Sequence, residues 1–112
     1  MSECLFCRIA AREIPSREVF SDERIYAFED INPQAPVHVL VIPRKHVSRV
    51  SELAEEDALL AGEVLRRAAA IARERGLTDF RVVANDGAGA GQSVFHLHFH
   101  VLGGRPFSWP PG

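Results

Sequence analysis

The sequence has only two cysteines, Cys4 and Cys7, too few for the disulfide framework of a small secreted domain. No apolar run approaches the roughly 20 residues that a membrane-spanning helix needs. Met1 to Glu3 supply neither the basic nor the apolar stretch of a signal peptide. Together these absences imply a cytoplasmic protein with reduced thiols and no membrane partner. There is also no basic excess. Thirteen Lys and Arg against 15 Asp and Glu leave a net charge of -2, which disfavours nucleic-acid binding through bulk electrostatics. A small anionic ligand stays open, because local dipoles and donors can hold it without net positive charge. Internal repeats and low-complexity segments are absent too. At 112 residues, 46% hydrophobic and 25% charged, the composition is that of a soluble globular protein with one domain over residues 1–112.

Cys4 to Ala11 is short and apolar and reads as a turn or helical turn, interrupted by Pro15. Glu18 to Phe20 and Arg24 to Glu29 read as strands joined by a hairpin turn at Ser21-Asp22-Glu23. Asp30 to Pro36, with its prolines and Asn32, reads as a loop. Val37 to Ile42 is the strongest strand by β-branched content, with Pro43 as its stop. Ser51 to Arg75 reads as one long helix. Ser51 caps it, acidic residues crowd its first turns, and Leu59, Val64, Leu65, Ala68 and Ile71 form its core face. Gly76 terminates it. Phe80 to Ala84 and Ser93 to Leu102 are the last strands, separated by a glycine-rich loop from Asn85 to Gln92. The order β-β-β-α-β-β predicts an α+β domain with a mainly antiparallel five-stranded sheet.

His96, His98 and His100 alternate within that last strand, so a period of two places them on one face. Phe95, Leu97, Phe99 and Val101 then share the other face and pack on the helix. Three imidazoles on one exposed face do little for stability, and buried without partners they are costly. Incidental histidines or a metal face are the plainer readings. Successive rings spaced about 7 Å apart at the backbone converge awkwardly on one ion but suit a row of groups along a phosphate ester. The loop Asp86-Gly87-Ala88-Gly89-Ala90-Gly91-Gln92-Ser93 supplies unobstructed backbone N–H groups next to that row. A mobile hairpin loop is the bland alternative.

The segment Gly91-Gln92-Ser93-Val94-Phe95-His96-Leu97-His98-Phe99-His100-Val101-Leu102-Gly103-Gly104-Arg105 resembles the signature of the histidine-triad (HIT) nucleotide-binding family. Gly-Gly-Arg and the terminal Trp109-Pro110-Pro111-Gly112 are similar to its Hint branch. The likeness extends to Phe6-Cys7-Arg8-Ile9, Glu13-Ile14-Pro15, Asp30-Ile31-Asn32-Pro33-Gln34-Ala35-Pro36 and Val41-Ile42-Pro43-Arg44-Lys45-His46.

The resemblance implies a nucleoside phosphoramidase that cleaves purine nucleoside 5′-phosphoramidates at the P–N bond. It makes His98 the nucleophile, through a covalent nucleotidyl-histidine that water resolves. His100 would contact the phosphate and protonate the leaving amine, and His38 would relay protons. His96 would orient its neighbour. Asn85, Gly91, Gln92 and Ser93 match positions on the phosphate and leaving-group side. Asp30 matches the carboxylate that accepts from the ribose hydroxyls. Leu5, Phe6, Ile9, Phe28, Ile31 and Leu40 would line the base pocket, though composition alone reads all six as core. A homodimer that extends the sheet across two chains is also implied, with the long helix and last strand as contacts. A Trp in a proline-rich tail calls for such a surface. The rivals are a dinucleoside polyphosphate hydrolase, a nucleotide-binding regulatory module with little turnover, and a zinc-stabilised interaction domain.

Cys4-Leu5-Phe6-Cys7 is a C-x-x-C, open alone to redox, zinc or bland buried readings. No strand leads into it as in a thioredoxin-like turn, which disfavours redox chemistry. In some relatives such a pair joins two histidines, matched here by His46 and His96, in a closed structural zinc site. No catalytic metal is expected.

Overall fold

The computed structural model describes residues 3–112. Helix α1 spans Leu5–Ala10, with the Cys4 sulfur accepting from the Cys7 N–H at its start. Its buried residues Phe6, Ile9 and Ala10 fall at helical spacing and form one stripe. Strands β1 (Glu18–Ser21) and β2 (Ile25–Glu29) form a hairpin. Asp22 Oδ1 accepts from the N–H groups of Arg24 and Ile25 at 2.8 and 2.7 Å, so the side chain itself builds the turn. Strand β3 spans Val37–Pro43, α2 Ala58–Glu74, β4 Phe80–Val83 and β5 Phe99–Gly103. The five strands form one sheet in the order β1-β2-β3-β5-β4, every neighbouring pair antiparallel. This is the α+β architecture, five strands with one long helix, that the element order predicts.

Each central strand serves two cores. Ile25, Ala27, Val39, Val41, Phe99 and Val101 face Val64, Ala68, Ile71 and Ala72 of α2. Tyr26, Phe28, Leu40 and Ile42 face Phe6, Ile9 and Ala10 of α1. The small alanines of α2 let the helix sit close on the sheet. Arg44 clamps the end of α1 to the hairpin: its guanidinium donates to the Ala10 carbonyl at 2.7 Å, the Asp22 carbonyl at 2.8 Å and Ser21 Oγ at 2.6 Å.

Two elements depart from their sequence-based bounds. The long helix begins at Ala58, not at Ser51. Short 3-10 turns at Val50–Glu52 and Glu55–Asp57 precede it, separated by extended backbone at Leu53 and Ala54. Ser51 caps no helix; its N–H donates to Asp86 at 2.8 Å. Asp57 bonds the Ala54 N–H and Lys45 instead of continuing a helix back through Ala54. With this start, Leu59 falls opposite Val64 and is 74% exposed, and Leu65 sits on the flank at 45%. Neither belongs to the core face. The last strand begins at Phe99, not at Ser93. The Leu97 N–H donates to the Val47 carbonyl, which draws residues 93–98 off the ladder, and Phe95 is exposed as a result. Gly76 ends α2 as expected, at φ +77°.

Candidate active site

The glycine-rich loop is held from within. Gly87 and Gly91 take φ of +95° and +99°, where an L side chain would be strained. Gln92 is buried: its Oε1 accepts from the Gly87 N–H at 2.8 Å, and its Nε2 donates to the Ser48 and Val94 carbonyls at 2.8 and 3.0 Å. That side chain is hydrogen-bonded through both its oxygen and its nitrogen in shaping the loop. Asn85 packs beside Gly91. Of the residues expected on the phosphate side, Ser93 lines the cleft described next, whereas Asn85, Gly91 and Gln92 do not.

That cleft encloses about 390 Å³ between α1, the even-numbered face of the sheet and the loop. Leu5, Phe6 and Ile9 contribute from α1, Phe28 from β2, Leu40 from β3 and Ile31 from the loop after β2. All six residues expected at a base pocket therefore meet around one cavity. Ile31, 99% exposed, stands at its rim. Asp30, Ser93, His98 and His100 close the other side. Sequence reasoning missed Ser16, which also lines the cleft and hydrogen-bonds the hydroxyl of buried Tyr26 at 2.7 Å. Nothing in the spacing of Pro15 and Ser16 signals this; only the return of the chain beside β2 does.

The triad does not form one row. His98 and His100 line the cleft, their ring centroids 5.0 Å apart, but His96 turns away and is sealed. Because residues 96 and 98 precede the strand, the period of two does not govern them. His96 therefore stands beside the cleft without lining it: its ring meets Phe6 edge-on and its carbonyl accepts from His98, so its ring nitrogens reach no proton in the cleft.

Carbonyl oxygens only accept, so the contacts fix the tautomers. His98 Nδ1 lies 2.7 Å from the His96 carbonyl and must donate to it, leaving Nε2 as the ring's basic atom. Phe6 stacks edge-on against this ring, centroids 5.0 Å apart. The Gln34 N–H donates to His38 Nδ1 at 3.0 Å, so His38 carries its proton on Nε2. That Nε2–H donates to His100 Nδ1 at 2.8 Å, with Asp30 Oδ2 at 3.4 Å from the same nitrogen. His100 then carries its own proton on Nε2. Burial lowers the pKa of His100 to about 4, with His98 and His38 adding to the effect. Burial also lowers that of His38, opposed by Asp30. Both rings are therefore neutral near pH 7.

Behind the cleft, Cys4, Cys7, His46 and His96 bring one donor atom each to within 4.8 Å of one another. Cys4 Sγ lies 3.3 Å and Cys7 Sγ 3.5 Å from His96 Nδ1, and Cys7 Sγ lies 3.5 Å from His46 Nδ1. His96 Nε2 donates to the Pro43 carbonyl at 2.7 Å, which leaves Nδ1 bare toward the sulfurs. Burial lowers the pKa of His96 to about 4, so the ring is neutral. An oriented, neutral imidazole facing two sulfurs is the arrangement of a metal ligand with its supporting hydrogen bond.

Comparison with known proteins decides the family. The family model of the HIT domain matches residues 11–107. The chain belongs to the HIT family. An uncharacterized HIT-like protein of Synechocystis is 52% identical over 98% of this chain and 97% of its own length. Among solved structures, a HIT family hydrolase from Legionella pneumophila aligns at a TM-score of 0.96, with 47% identity over 98% of this chain and 100% of that one. A histidine triad protein from Clostridium difficile aligns at 0.92, with 40% identity over 96% of both chains. Within this HIT domain, His96, His98 and His100 make the His-x-His-x-His run, and His38 reaches His100 from the adjacent strand. No helix among the described residues is long and apolar enough to cross a membrane.

Proposed function

We propose that this HIT protein is a hydrolase that cleaves purine nucleoside 5′-phosphoramidates through a nucleotidyl group on His98. The observation that carries the reading is the His98 tautomer. A proton pinned on Nδ1 by the His96 carbonyl leaves an Nε2 lone pair on a ring at the junction of an apolar pocket and polar donors. Leu5, Phe6, Ile9, Phe28 and Leu40 offer a flat base two sides of apolar contact, while Asp30 stands where it can accept from ribose hydroxyls. Ser93 and the Nε2–H of His100 are donors for the phosphoryl oxygens, where charge concentrates.

An anionic phosphate beside His38 and His100 favours their charged form. His100 Nδ1 takes up a proton from solvent as the His38 Nε2–H turns to Asp30 Oδ2, 3.4 Å away, and His100 then offers the proton on its Nε2 to the leaving amine. His98 Nε2 attacks phosphorus, the P–N bond breaks, and that proton leaves on the amine. Water then attacks the same phosphorus, returns a proton to the pair, and frees His98 together with the nucleoside monophosphate. Two displacements replace one difficult step.

Cys4, Cys7, His46 and His96 fit a structural zinc ion, because two thiolates and two imidazoles form a closed tetrahedral set. The ion would supply cross-linking and no chemistry at phosphorus. A homodimer is part of the reading: Trp109, 82% exposed in a tail pinned by Phe107 between Arg81 and Arg105, calls for a surface on a second chain.

The test is steady-state hydrolysis of adenosine and guanosine phosphoramidates beside dinucleoside polyphosphates. His98→Asn should lower phosphoramidate kcat by at least ~10³-fold while keeping affinity for the nucleoside monophosphate. Full activity in that variant removes His98 as nucleophile. Faster cleavage of dinucleoside polyphosphates by the wild type makes the rival hydrolase the better description.

A further inference from the structure

Helix α1 faces two sites at once. Cys4 and Cys7 belong to the thiol–imidazole cluster, while Leu5, Phe6 and Ile9, on the same six residues, wall the nucleotide cleft. A helix this short has no stability of its own, because nucleation costs more than so few hydrogen bonds return. Its placement comes from its attachments. Arg44 holds its last turn through the Ala10 carbonyl, and Phe6, Ile9 and Ala10 pack on the sheet. The first turn, which carries the exposed Leu5, is held by the sulfurs against His46 and His96.

From this we infer that the Cys4, Cys7, His46 and His96 cluster is energetically coupled to the nucleotide cleft: metal held by the cluster tightens binding of a nucleoside monophosphate through α1, and the nucleotide tightens the metal. The inference rests on the nucleotide reading of the cleft and adds a regulation to it. Filling the cluster ties the first turn of α1 to His46 in the loop after β3 and to His96 in the segment before β5. That fixes the first turn, with its exposed Leu5 beside the already packed Phe6, as a wall before the base arrives, so the base no longer has to order it. Preorganisation of this kind appears as affinity. The coupling reaches the wall more than the nucleophile. His98 is oriented by a backbone carbonyl, and His96, which bears that carbonyl, is anchored independently by the Pro43 carbonyl. Cys4 and Cys7 are thus positioning residues for the base, and their loss should be read in KM and not in kcat.

Reciprocity supplies a test on the unaltered protein, since two coupled sites must change each other's affinity by the same factor. Adenosine monophosphate binding to the zinc-loaded protein is measured first, by calorimetry. Absence of binding there counts against the nucleotide reading itself. Zinc is then titrated out with a chelator in the presence and absence of saturating adenosine monophosphate. The expected result is a shift of about 10-fold in apparent zinc affinity, within the usual range of such couplings. Superimposed curves, or a protein that takes up no zinc, overturn the inference. Variants supply the second arm. Cys7→Ser and Cys4→Ser/Cys7→Ser should raise KM and the dissociation constant of adenosine monophosphate by about 10-fold, keep kcat within about 3-fold, and speed amide exchange over residues 5–10. A fall in kcat at unchanged KM would show that the cluster acts on His98 and not on the wall. Should the double variant fail to fold, the chelator titration still decides.

Discussion

At the scale of single residues, the site depends on which nitrogen of each ring carries the proton. His38 is the clearest case. The Gln34 N–H fixes its tautomer, and it in turn fixes that of His100. His38→Ala leaves His100 Nδ1 without a donor and lets its proton move to the wrong nitrogen. The expected outcome is a loss of about 10²-fold in kcat with adenosine monophosphate affinity nearly unchanged, measured by kinetics and calorimetry. Gln92 tests the opposite kind of role. Its amide satisfies one N–H and two carbonyls within the loop, so Gln92→Ala should cost about 1–3 kcal/mol of stability by leaving buried polar groups unpaired. Thermal or urea unfolding reads that directly. An unchanged midpoint with a large rise in KM would mean that Gln92 contacts ligand instead. Much at this scale was legible beforehand. The apolar residues of the cleft and His38 were legible through the family resemblance, which also grouped His96 with Cys4, Cys7 and His46 as the structure does; the strand alternation, which set His96 in a row with His98 and His100, misplaced it. Its direction is set by two contacts distant in sequence, the Pro43 carbonyl and the Cys4 sulfur, which no local alternation encodes.

At the scale of elements, the strands of the sheet centre were readable because β-branched runs have few alternatives to an extended backbone. The helix start was not. Acidic residues at 52, 55, 56 and 57 resemble a first turn, yet tertiary bonds from Asp57 to Lys45 and from Asp86 to the Ser51 N–H organise that stretch as two tight turns. The consequence is measurable. Ile71→Ala, in the face that α2 does bury, should cost ~2–5 kcal/mol, whereas Leu59→Ser should stay within ~0.5 kcal/mol. Comparable losses at both positions would place Leu59 in a buried contact after all. The start of β5 was misread for a related reason. Alternating apolar and histidine residues satisfy a strand pattern, but the Leu97 N–H finds its acceptor on Val47 and not on a neighbouring strand.

At the scale of the whole molecule, the neutral histidines tie stability to pH. In the unfolded chain His100 takes a proton near the ordinary histidine value of 6.5, while in the fold it resists until about pH 4. Between those values the unfolded state binds more protons, so lowering the pH favours unfolding. The contribution of His100 is therefore whole above about pH 6.5 and is lost as the pH falls toward 4; His38, also lowered by burial, acts in the same direction. Calorimetric melting at a series of pH values should show this decline, and His100→Gln should flatten it. An equal slope in the variant would assign the decline to other groups.

Along β2, β3 and β5 the parity of a residue number decides its neighbourhood: odd positions such as Val39, Val41 and Val101 meet α2, and even ones such as Phe28, Leu40 and His100 meet the cleft. A protein arranged in this way keeps two ledgers on one ribbon, and they can drift apart. Selection of random libraries for heat tolerance alone should fill the odd register and the facing alanines with substitutions, while selection for a new leaving group should crowd the even register, each leaving the other's positions almost untouched.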